Sequence, residues 1–188
     1  MRRKDDEKEQ RIKEAVIKIM LQEGFHGTSI SKIAKMAEVS PATVYIYFEN
    51  KEDMLKDIYQ EYSEKVFCYL LNCLQPEMDS ANIIETLMRG YYAYMRENPE
   101  AFSFVEQFSN CPAMASKCSG KKGLCHIFSL ISEMKKERLI KPYSDECLAA
   151  LIFYPVKAIA VDTHRDCAKQ EKLLEELIQI VQNAVLMP

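Results

Sequence analysis

The stretch from Ser29 to Phe48 constrains this chain more than any other. Ser29 stands where a helix N-cap belongs, and Ile30, Ile33, Ala34 and Ala37 follow the i, i+3, i+4, i+7 spacing of one buried helix face. Glu38-Val39 leaves room for only a short turn. Ser40 then caps a second short helix, with Pro41 at the first helical position, where a missing N–H does no harm. Val44 and Phe48, one turn apart, are placed to anchor that helix, which leaves Pro41, Ala42, Thr43, Ile46 and Tyr47 on its opposite side. Upstream, Ile12, Ala15, Val16, Ile19 and Met20 form the stripe of a first helix from about Asp6 to Glu23. Gly24 and Gly27 bracket a turn in which Phe25 folds back onto that stripe. Downstream, Glu49-Asn50 breaks the chain, and Asn50 caps a fourth helix whose Glu52 and Asp53 sit at its positive end.

The rest of the chain keeps the helical period. With five glycines and no tryptophan in 188 residues, and long gaps between turn signals, it predicts an all-α fold. Helices are expected over 51–73, 80–97, 99–109, 122–138, 144–164 and 168–186. Asn110 to Lys122, with Pro112 and Gly120, reads as a loop. Pro155 falls inside a helical run and is expected to kink it or to mark a pocket wall.

Charge and cysteine usage narrow the class. Residues 1–58 hold 11 Lys+Arg against 11 Asp+Glu, and residues 59–188 hold 14 against 17, which together make the formal charge of −3. Neither part is strongly basic, so any DNA contact must come from local placement rather than from a broad electrostatic clamp. Arg2 to Glu9 is too dense in charge for a secretory signal, and the longest apolar stretch, Cys147 to Val156, is too short to span a bilayer. A soluble, cytoplasmic protein with no membrane partner is expected. The seven cysteines are scattered and odd in number, in keeping with a reducing compartment. Cys111, Cys118 and Cys125 recur every seven residues, with His126 adjacent, but lack the short spacing of a structural zinc site. No metal is therefore assigned, and a thiol or metal sensor is left open. His26, His126 and His164 are far apart, and neither a Gly-rich phosphate loop nor a Ser-centred elbow is present. No catalytic set or cofactor is expected, and the chain does not read as an enzyme.

Three short helices with a tight turn between the second and third make a helix-turn-helix, whose third helix has the length to enter a DNA major groove. The segments Gly27-Thr28-Ser29-Ile30-Ser31-Lys32-Ile33-Ala34, Val39-Ser40-Pro41-Ala42-Thr43-Val44-Tyr45-Ile46-Tyr47-Phe48 and Asn50-Lys51-Glu52-Asp53-Met54-Leu55 resemble the TetR family of regulators. The resemblance implies a helix-turn-helix head, residues 1–55, joined through a long helix to a helical effector-binding and dimerisation domain, residues 56–188. It implies a ligand-responsive regulator, most often a repressor, that binds a palindromic double-stranded DNA operator as a homodimer and is released by a small-molecule effector. It also implies base contacts from Ala42 and Thr43, and contacts to phosphates or groove edges from Tyr45, Tyr47 and Lys51. Ser29, Ser31 and Ser40 match helix starts that meet phosphates, and helix N-termini do carry free donors and partial positive charge. Lys32, Pro41 and Ile46 complete the DNA-facing set by position.

Two departures from the family pattern stand out. Glu38 occupies a turn position where the family usually has glycine, which costs about 1–2 kcal/mol if the residue is left-handed. Ile46 stands where an aromatic residue or histidine is common. Moreover, Pro41 to Phe48 contains no Arg, Lys, Asn or Gln, the usual bidentate readers of bases. Readout falls to small apolar groups, Thr43 and tyrosine hydroxyls, for which thymine methyls are the natural match.

Two adjacent apolar ridges run between Ala168 and Leu186: Leu173, Leu177, Ile180, Ala184 and Leu174, Ile178, Val181, Val185. One ridge more than a core needs suggests a homodimer interface through residues 144–186, which include the apolar helix from Cys147 to Val161. The middle of the chain is rich in aromatics and methionine, which suit an adaptable apolar site. Tyr91, Met95, Phe104, Phe108 and Phe128 are the candidate walls for a small apolar or amphipathic effector. The alternatives are a helical ligand- or protein-binding module whose head is vestigial, and a small helical enzyme.

Overall fold

A computed structural model describes residues 2–109, 122–161 and 166–188. The described residues form nine helices: α1 (Arg2–Gly27), α2 (Ile30–Met36), α3 (Pro41–Tyr47), α4 (Lys51–Cys73), α5 (Ser80–Glu97), α6 (Pro99–Ser109), α7 (Lys122–Lys136), α8 (Asp145–Ala160) and α9 (Cys167–Val185). The fold is all-α, as the periodicity predicts. Among the described residues no helix is long and apolar enough to cross a membrane.

The local signals near the N-terminus act as written. α1 is broken at Gly24, which sits at φ 69° and ψ −174°, a region open essentially to glycine alone. The chain after the break is fastened by Thr28, whose hydroxyl donates to the Gly24 carbonyl at 2.7 Å. Ser29 caps α2 by accepting the Lys32 N–H, and Ser40 caps α3 by accepting the Thr43 N–H at 3.1 Å. α2 ends in a Schellman turn: Val39 N–H reaches the Ala34 carbonyl at 2.9 Å and Glu38 N–H the Lys35 carbonyl at 3.3 Å. Glu38 takes the left-handed position of that turn, φ 56°, so the departure from glycine is carried as backbone strain. Asn50 caps α4 by accepting the Asp53 N–H at 2.9 Å.

Packing divides the chain into two compact units. The first takes the chain through Ser63 together with α6; the second takes the rest of α4, α5, and α7 to the C-terminus. In the first, Ile12, Val16 and Met20 of α1, Ile33 of α2, Val44 of α3, Leu55 and Ile58 of α4, and Phe104 and Phe108 of α6 share one buried cluster. This unit extends beyond residue 55 because the apolar period of α4 continues through Ile58, Tyr59 and Tyr62. Polar links add to it: Lys13 Nζ bridges Glu9 and Glu61, each at 2.5 Å, and Gln10 donates to the Tyr62 hydroxyl at 3.1 Å.

In the second unit α5 packs against α8 and α9, and α8 also meets α7. Ile84, Leu87 and Met88 of α5, Leu148, Ile152 and Val156 of α8, and Leu174, Ile178, Val181 and Val185 of α9 are buried. α8 continues through Pro155 without a break. α7 stops at Lys136, short of the predicted 138, in a second Schellman turn with Arg138 left-handed at φ 57°. Lys141 closes the end of α9, donating to the carbonyls of Ala184 at 2.8 Å and Asn183 at 3.2 Å.

Candidate nucleic-acid interface

α3 is held by two buried anchors, Val44 at 0% and Phe48 at 7% exposure. With those side chains turned inward, Pro41 and Ala42 are exposed on the other side, as are Tyr45 at 56% and Ile46 at 78%. Ala42, Tyr45 and Ile46 stand at i, i+3 and i+4 and so share one face. Thr43 and Tyr47 are half-buried. The Thr43 hydroxyl lies 2.9 Å from the Ser40 hydroxyl, so both belong to the N-cap of α3. Ser29, Ser31 and Ser40 are exposed at the two helix starts, with Ser29 and Ser40 engaged as caps.

The lysines of the set are committed within the head. Lys32 Nζ pairs with the Glu23 carboxylate and donates to the Gly27 carbonyl at 3.1 Å. Lys51 is half-buried, donates to the Phe25 carbonyl at 2.6 Å and stands 4.3 Å from the centre of the Phe25 ring. Both therefore hold the turn that Gly24 opens. Glu23 and Phe25 are their partners, and no sequence spacing pairs a lysine with a backbone carbonyl 26 positions away. A further pair, Arg11 to Glu38 at 3.7 Å, lies on the surface.

The five candidate effector walls fall in both units. Phe104 and Phe108 pack ring against ring in the core of the first unit, 5.3 Å apart, because α6 folds onto α1 there. Tyr91, Met95 and Phe128 lie in the second unit. Tyr91 meets Phe153 edge to face at 5.1 Å, and burial, aided by nearby Tyr154, pushes its hydroxyl pKa up to about 12. The second unit also has an open cleft of about 320 Å³ bordered by Arg89, Tyr92, Arg96 and Glu171, which none of the five lines. The buried Gln170 accepts from two of these residues, Tyr92 at 3.1 Å and Arg96 at 2.5 Å, and donates to the Ile159 carbonyl at 3.2 Å. Cys111, Cys118 and His164 lie outside the described residues; Cys125 and His126 are exposed. Among the described residues no three His, Cys, Asp or Glu side chains come together to hold a metal.

Known proteins carry the same features. The family model of the bacterial regulatory proteins of the tetR family matches residues 12–58, the segment from the α1 stripe to Ile58. An uncharacterized HTH-type transcriptional regulator of Haemophilus influenzae is 24% identical over 184 residues, spanning 95% of this chain and 96% of its own. The crystal structure of a TetR family transcription regulator from Marinobacter aquaeolei VT8 superposes with a TM-score of 0.86 at 25% identity, covering 100% of both chains. The fatty acid degradation regulator FadR of Bacillus halodurans shares the fold with a TM-score of 0.75 at 22% identity, over 93% of this chain and 94% of its own. Residues 12–58 thus match the tetR family model, and over its full length the chain is similar in fold to TetR family helix-turn-helix transcription regulators.

Proposed function

We propose that the protein is a cytoplasmic, ligand-responsive repressor that binds a palindromic operator as a homodimer and leaves it when a small apolar or amphipathic effector binds. The observation that carries this reading is the outward face of α3: side chains exposed opposite two buried anchors, inside the family-matched segment. Pro41, Ala42, Tyr45 and Ile46 form the groove-facing surface, with Thr43 beside them. Ser29, Ser31, Lys32, Ser40, Tyr47 and Lys51 border it as the phosphate-contacting set.

The dimer is assigned to residues 144–186. Of the two ridges on α9, Leu174, Ile178, Val181 and Val185 are buried, whereas Leu173, Leu177 and Ala184 are half-buried and Ile180 is 64% exposed. Tyr154 of α8 is exposed as well. That second, outward ridge is the surface a symmetric partner would cover. Tyr91, Met95, Phe104, Phe108 and Phe128 are the effector-contacting residues of this reading. An apolar or amphipathic effector is in keeping with the fold shared with the Bacillus halodurans fatty acid degradation regulator. The effector would act by population shift, favouring a state whose heads no longer match the half-site spacing.

Selection of bound sequences from random duplex DNA tests the reading. Enrichment of a palindrome is the expected result. Absence of any enriched sequence at low salt would reject it.

A further inference from the structure

We propose that the protein reads its operator through thymine methyl groups and that Ile46 is the residue that does so. The inference deepens the DNA-regulator reading and rests on it. Ile46 is 78% exposed, more than any other large apolar side chain among the described residues. It does nothing for the fold, because Val44 and Phe48 already anchor α3 from the other side. Ala42 lies one turn before it on the same face, so the two form an apolar strip. Tyr45 adds a ring and one hydroxyl, which suit a groove edge or a phosphate and leave the methyl contact to Ile46 and Ala42.

Apart from the Tyr45 hydroxyl, the polar alternatives are absent or occupied. Pro41 to Phe48 contains no Arg, Lys, Asn or Gln. The Thr43 and Ser40 hydroxyls face each other at 2.9 Å, and Ser40 also accepts the Thr43 N–H. Lys32 and Lys51 are held to the carbonyls of Gly27 and Phe25. Of the groups that unmodified base pairs present in the major groove, the thymine C5-methyl is the apolar one. An apolar strip matches that group by contact. It also disfavours G·C pairs, whose donors and acceptors would be buried against it without partners. The strip is continuous with the helix-turn-helix that the family match assigns to DNA, which commits it to base edges rather than to another apolar partner.

The test uses the full chain and the site it enriches from random DNA. Each thymine of that site is replaced in turn by deoxyuridine, which lacks only the methyl group, and affinity is measured at one fixed salt concentration. Where Ile46 buries a methyl, the wild type is expected to lose about fourfold in affinity per methyl removed. Ile46→Ala is expected to bind the thymine and deoxyuridine duplexes alike at those positions. Because Ile46 is exposed, the variant keeps its fold, which circular dichroism checks. If the variant binds too weakly to measure, the deoxyuridine scan on the wild type decides alone. A site whose thymines can all be replaced without loss overturns the inference, as does an Ile46→Ala protein with undiminished sensitivity. No enriched sequence at all removes the DNA-regulator reading and this inference with it. An enriched site indifferent to thymine methyls removes only the inference.

Discussion

Lys51 is clamped to Phe25: its Nζ donates to the Phe25 carbonyl at 2.6 Å and stands 4.3 Å from the centre of that residue's ring. The pair ties the start of α4 to the turn that leads into α2. Lys51→Ala removes a charge-assisted hydrogen bond and a cation–π contact, together about 1–3 kcal/mol at a half-buried site. Denaturant unfolding should show that loss. The salt dependence of DNA binding distinguishes the clamp from a phosphate contact, because deleting one phosphate contact lowers the slope of log affinity against log salt by about 1. A lowered slope beside the loss of stability would give Lys51 both the clamp and the proposed phosphate contact, whereas an unchanged slope would confine it to the turn.

Gly24 makes that turn accessible. Its φ of 69° with ψ −174° is strained for any side chain, although a Cβ there would meet nothing within 4 Å. Gly24→Ala is therefore expected to destabilise the head by about 1–3 kcal/mol through backbone strain alone. A neutral result in thermal unfolding would contradict this.

Glu38 is the converse case. At φ 56° it holds the left-handed position of a Schellman turn, and its pair with Arg11 at 3.7 Å is on the surface, where such pairs contribute little. Glu38→Gly is expected to raise stability by up to about 1 kcal/mol. A lower unfolding midpoint would assign the Arg11 contact more weight than the strain.

Lys13 makes the stability of the first unit depend on pH. Burial works to lower its pKa, but hydrogen bonds and charges from Glu61 and Glu9 outweigh burial and leave it above 10.5. The folded value exceeds the unfolded one, so the contribution is fully present below the unfolded pKa and is lost as pH rises through the folded value. The stability difference between wild type and Lys13→Met should stay constant around neutral pH and shrink only above 10.5. A difference that shrinks on acidification within the neutral range would refute the assignment.

Two isoleucines on α9 separate the core from the outward ridge proposed as the dimer interface. Ile178 is 3% exposed and Ile180 is 64% exposed. Ile178→Ala should cost about 2–5 kcal/mol in stability, as buried aliphatic truncations do. Ile180→Glu should leave the fold intact and shift the sedimenting species from dimer to monomer. An Ile180→Glu protein that still sediments as a dimer would place the interface elsewhere.

The helix-turn-helix was legible because its signals are local. Ser29, Ser40, Pro41 and Asn50 act on backbone groups within a turn of themselves, and the spacing of Ile33, Ala34, Val44 and Phe48 already states which side is buried. The absence of amide and cationic readers in Pro41 to Phe48 is likewise a property of the sequence alone. Pairings between distant parts of the chain have no such signature. The aromatic residues Phe104 and Phe108 carry the same composition signal as Tyr91 and Phe128, yet α6 folds onto α1 and puts them in the core of the first unit. The family resemblance points Lys51 toward DNA, and only the tertiary structure shows its contact with Phe25, 26 positions earlier. The α9 sequence showed two equivalent ridges, and only the packing of α5 and α8 against one of them decided which turns inward. Local hydrogen bonding and periodicity are written residue by residue, whereas the choice among chemically equivalent faces is settled only when other helices cover one of them.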